Sequence, residues 1–89
     1  MSDSEKEQLL TIIRESWQQF STNTAQRREY LLSRLNAWRS EDLREAMLWL
    51  VLKKRVFIIE RYKSRLEFID VNTWMQDVVD AVLHAEIVV

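Results

Sequence analysis

The 89-residue chain has no glycine, no proline and no cysteine. Average usage would place about ten glycines and prolines together in a sequence of this length. Glycine supplies the positive-φ positions of tight hairpin turns and proline the fixed turns of loops, and both interrupt helices. A chain with neither is poorly equipped to reverse strands and has nothing to break its helices, so all-α is the expected fold class. Without cysteine there are no disulfides, no thiolate metal ligands and no thiol nucleophile. No window of eighteen residues is free of charged side chains, which excludes a membrane-spanning helix of about 18 to 20 apolar residues. The opening MSDSEKEQ is polar and acidic. It has none of the basic-then-apolar order of a secretory signal, and the cytoplasm is the expected location.

Apolar residues make up 47% and charged residues 30% of the chain, a balance that belongs to folded proteins and not to disordered ones. The length suits one helical domain over residues 1–89. Ser4 and Glu7 have the spacing of a capping box, and Leu10, Ile13, Trp17 and Phe20 follow on one helical face, giving a first helix over 4–20. The short polar side chains of STNT, residues 21–24, form a linker. A second helix over 25–38 carries Tyr30 or Leu31, Leu35 and Trp38 inward. Ser40 with Glu41 and Asp42 marks the next start. Asp70 or Asn72 caps a last helix over 73–85, whose apolar face is Trp74, Met75, Val78, Val79 and Val82. The terminal EIVV is apolar and is expected to pack or fray.

Between those starts lies the feature that decides the architecture. Positions 48, 52, 55, 59, 62, 66 and 69 read Leu, Leu, Arg, Ile, Tyr, Leu, Ile, a heptad stripe with Arg55 as its one charge. A hairpin of LWLVL and VFII about KKR is disfavoured, because Lys-Lys-Arg is no hairpin turn. One helix over 41–69 would be about 43 Å long, whereas a compact chain of this size is only about 31 Å across. Either the helix breaks near 53–55, or the molecule is elongated and a second copy covers the apolar segment Ala46–Leu52. The second alternative predicts a homodimer with an interface of Met47, Trp49, Leu50, Leu52, Arg55, Ile59 and Tyr62. Arg55 should then pair with an acid or mark the break.

Charge is unevenly spread. Residues 1–23 carry a net −2, residues 24–65 a net +6 and residues 66–89 a net −5. Either the acidic ends pair with the basic middle, or the middle is a surface for an anionic partner formed by Arg27, Arg28, Arg34, Lys53, Lys54, Arg61 and Arg65. Asp77, Asp80 and His84 share a face of the last helix, but bundle metal sites draw ligands from several helices, so solvated polar surface is the expected role and no metal or cofactor is anticipated. One histidine, no cysteine and no glycine-rich turn leave no catalytic constellation, and an enzyme is not expected. The four tryptophans fall one to each predicted helix and three lie in apolar stripes. Trp49 points off its stripe and is the expected interface residue. The expected function is protein–protein interaction, as an adaptor, inhibitor or regulatory subunit that self-associates through the third helix. A nucleic-acid-associated regulator using residues 27–65 is the alternative, and no membrane partner is expected.

Overall fold

The computed structural model describes residues 1–67 and 74–88, without the side chain of Trp74. The expected stripe position Ile69 and the expected caps Asp70 and Asn72 lie outside the described residues. Among those described, the chain is mostly helical, with five α-helices and two short strands in place of the four helices expected. In order they are α1 (Asp3–Gln19), α2 (Thr24–Leu35), α3 (Ser40–Leu52), β1 (Val56–Phe57), α4 (Glu60–Glu67), α5 (Trp74–Leu83) and β2 (Glu86–Ile87). No described helix is long and apolar enough to cross a membrane.

Helix starts follow side-chain chemistry closely, but not always at the expected residue. The sequence has two overlapping Ser-x-x-Glu pairs, and the outer one caps α1: Ser2 Oγ accepts from Glu5 N at 3.2 Å. Starting two residues earlier than Ser4 adds intrahelical bonds such as Lys6 N to Ser2 O. Asn23 caps α2 by accepting from Gln26 N at 3.0 Å, inside the polar linker. Ser40 is the first residue of α3 and not its cap; extended Arg39 holds the cap position without a side-chain bond. α2 stops at Leu35, three residues short of the expected end, where Trp38 N turns back to Leu35 O.

The long third helix breaks. Arg55 N bonds to Leu50 O and Lys54 N to Val51 O, the paired six-to-one and five-to-two pattern of a Schellman turn. That turn needs a left-handed residue, and Lys54 supplies it at φ 58°, a position where glycine would be free of strain. The stripe from Leu48 to Leu66 is therefore not one helical face: Tyr62 and Leu66 are buried on α4, a separate helix. The VF of VFII does form a strand, as the rejected hairpin supposed, but its partner is the C-terminal segment and not LWLVL. β1 and β2 pair antiparallel, Val56 opposite Ile87 and Phe57 opposite Glu86.

α1 packs against α2 and α3, while α5 lies against α2, α3 and α4. One core joins them, from Leu9, Leu10 and Ile13 through Leu31, Leu43, Met47 and Leu50 to Leu66, Val78, Val82 and Leu83. With α3 broken, the molecule measures 30 × 26 × 26 Å, and Ala46, Met47 and Leu50 are buried within the chain, where α3 packs against α1 and α5. Two arginines tie down helix C-termini that have no glycine cap. Arg44 donates to Leu66 O and Glu67 O at the end of α4. Arg27 donates to Phe20 O, at the end of α1, and to Leu83 O, at the end of α5.

Candidate interaction surface

Ending α3 in a sharp turn leaves apolar side chains exposed. Leu52, the last helical residue, is 76% exposed, and beyond the turn Phe57 is 55%, Ile59 48% and Val88 47% exposed. Met1 and Leu32 are the other large exposed apolar residues described, so four of six gather at the α3 turn and the ribbon. The ribbon's geometry explains two of them. Val88 N donates to Arg55 O, which makes 55/88 and 57/86 the bonded pairs. Arg55, Phe57, Glu86 and Val88 thus share the outer face, and Val56 and Ile87 turn toward the core.

Two adjoining clefts run along this surface. The first, about 470 Å³, is lined by Leu48, Val51, Leu52, Lys54, Lys63 and Glu67. The second, about 430 Å³, is lined by Val51, Lys54, Phe57, Ile58, Glu60, Lys63 and Val88, with Val56 beneath. Val51, Lys54 and Lys63 belong to both, so two lysines and one apolar residue line the junction. Glu67 lies in the first cleft alone and Glu60 in the second alone.

The basic middle of the sequence divides into two populations. On α2, Arg28 Nη1 lies 2.7 Å from Asp80 Oδ1 and Arg34 Nη2 lies 3.4 Å from Glu15 Oε2. Arg34 also donates to the Tyr30 hydroxyl oxygen, which holds its guanidinium above its ordinary pKa, with Glu15 adding to the effect. Arg27 is 4% exposed, its guanidinium 3.8 Å from the Trp17 ring centroid. Burial pushes its pKa down, yet an arginine stays protonated at any ordinary pH, so the cost of its desolvation is offset by the two carbonyls and the indole face. These three face inward or toward acids of the same chain. Lys53, Lys54, Arg61, Lys63 and Arg65, in contrast, have no ion pair among the described residues. Arg61 and Arg65 flank the Tyr62 ring, at 5.1 and 5.8 Å from its centroid.

The seven residues expected at a self-association interface are likewise not on one face. Met47 and Leu50 are 0% exposed within the chain's own core, and Tyr62 is buried with His84 stacked on it at 4.6 Å. Trp49 is half-buried, with Lys6 Nζ 5.5 Å from its ring. Arg55 bonds Glu7 Oε1 of α1 at 2.6 Å, pairing with an acid and following the break at once. Leu52 and Ile59 are open. Phe57, Lys63 and Val88 are not legible in the sequence: a helical period hides which side of a strand Phe57 faces, and the places of Lys63 and Val88 depend on how α4 and the C-terminal strand pack. Trp17 is half-buried and donates from Nε1 to Ala85 O at 2.8 Å, locking α1 to the segment before β2.

Two members of the polar face expected on the last helix have partners. Asp80 meets Arg28, and His84 Nδ1 lies 2.8 Å from Asp80 O. Among the described residues no three His, Cys, Asp or Glu side chains are placed to hold a metal ion. No family model matches the sequence, and neither the curated proteins nor the solved structures contain a match to it.

Proposed function

We propose that this chain works by binding another protein through the surface at the α3 turn, in the manner of an adaptor, inhibitor or regulatory subunit. The observation that supports this reading is that exposed Leu52, Phe57 and Val88 line two adjoining apolar clefts, with exposed Ile59 following Phe57 in the chain. Singly exposed apolar residues are ordinary, whereas a contiguous patch rimmed by charge is how partner surfaces look. Leu52 and Phe57 are the anchors, since both are large and open. Replacing them together, Leu52→Asp with Phe57→Asp, should leave folding intact, because neither is in the core. The test is capture from the native source by the wild-type chain and by this double variant. A protein retained by the first and lost by the second supports the reading; equal retention, or none, contradicts it.

Self-association would draw on part of the same surface, since Leu52 of the expected interface lines the first cleft and Arg55 and Ile59 are exposed on the segment that follows. Light scattering on the 10.8 kDa chain addresses it, a dimer that Leu52→Asp dissociates being the supporting outcome and a monomer at high micromolar concentration the opposing one. Nucleic-acid binding is favoured by one observation, the five cations between residues 53 and 65 that have no ion pair among the described residues. It requires a salt-dependent shift of a generic duplex or single strand that charge reversal at Lys53 and Arg65 abolishes.

A further inference from the structure

We infer that the segment seated on this surface is acidic and apolar: a stretch of polypeptide with a carboxylate side chain set between apolar ones. The carboxylate would lie over Lys54 and Lys63 and the apolar groups would enter the two clefts. This rests on the protein-binding reading above and adds the partner's chemistry.

Position, more than net charge, carries the inference. Lys54 and Lys63 are common to both clefts, as is Val51, and neither lysine has an ion pair among the described residues. Glu67 and Glu60 each line one cleft only, so the surface is positive at its junction and carries acid in its two flanks. A polyanion laid across it would meet both glutamates and cover exposed Leu52, Phe57 and Val88 with phosphates, gaining little. A single carboxylate with apolar neighbours meets the opposite charge at the junction and apolar walls on either side. Seating apolar groups there also excludes water from the ammonium groups, which strengthens their attraction for the carboxylate. A second copy related by a two-fold axis through the junction would set these lysines against themselves, which is unfavourable.

The experiment is selection of a random dodecapeptide display library on the full chain, followed by titration of a synthetic consensus peptide. The expected consensus has Asp or Glu flanked by apolar residues. Lys54→Glu with Lys63→Glu should weaken the peptide about tenfold or more, and changing the peptide's acid to its amide should cost a similar factor that is not additive with the lysine reversal. Lys63→Glu alone lies on the α4 helix away from the positive-φ turn, so its effect is free of any change in that turn. Peptides whose binding is lost in Leu52→Asp but indifferent to lysine reversal would reject the acidic chemistry while leaving the protein-binding reading in place. If no peptide is enriched, the inference fails. If single-stranded DNA or phosphatidylserine vesicles then bind in a lysine-dependent way, the protein-binding reading fails with it.

Discussion

Lys54 does the work of a glycine in a chain that has none. It holds φ at 58°, where a Cβ costs on the order of 1 kcal/mol. Lys54→Gly should therefore raise the unfolding free energy by about 0.5 to 1 kcal/mol in urea titration, while Lys54→Val should lower it. Arg27 solves a related problem at two helix ends at once. It brings a cation to the negative poles of α1 and α5 and lays its plane against Trp17. Arg27→Ala should cost about 2 to 4 kcal/mol, because two carbonyls lose their donor and a cavity opens beneath the indole. Chemical denaturation measures the loss. Arg55 is a contrast. Its bond to Glu7 is short, but both side chains are about four-tenths exposed, so solvent and salt screen it. Arg55→Leu should change stability by less than about 1 kcal/mol, less still in high salt.

Among the elements, those with a chemical start signal were the most legible. The capping Ser-x-x-Glu pattern, the polar linker before α2 and the valine face of α5 all appear in the sequence, with errors of a residue or two where two caps competed. Asn23→Ala should cost about 1 kcal/mol by thermal unfolding, as the loss of a helix cap does. The end of α3 was not legible for a definite reason. Leu48 and Leu52 before the turn and Ile59, Tyr62 and Leu66 after it keep a seven-residue spacing, so the stripe reads as one helix. Tyr62 and Leu66 face the core from α4, an independent segment that happens to be in register. The signal that would have shown the break is a glycine after Lys53, and the lysine in its place conceals it. The two-residue strands were hidden similarly, since their partners are some thirty residues apart and neither is long enough to show an alternation.

For the molecule as a whole, the break in α3 changes which residues are available to others. A continuous helix would have left Met47, Trp49 and Leu50 needing outside cover; the folded chain of 30 × 26 × 26 Å covers Met47 and Leu50 itself. The uneven charge of the sequence resolves differently on different helices. Arg28 and Arg34 of α2 pair with acids of α5 and α1, whereas Lys53, Lys54, Arg61, Lys63 and Arg65 have no ion pair among the described residues. A sum over segments cannot separate those two groups, because the separation depends on which helices end up side by side. The outcome is a surface at one place on the fold where exposed apolar groups coincide with cations that have no ion pair among the described residues, and the proposed partner binding rests on it. The most direct test is titration of a captured partner against the wild-type chain and against Leu52→Asp with Phe57→Asp, with circular dichroism and Tm confirming the same fold in both. Loss of affinity by about a hundredfold, as expected for two central anchors, is the predicted result; equal affinity for the two chains would contradict it.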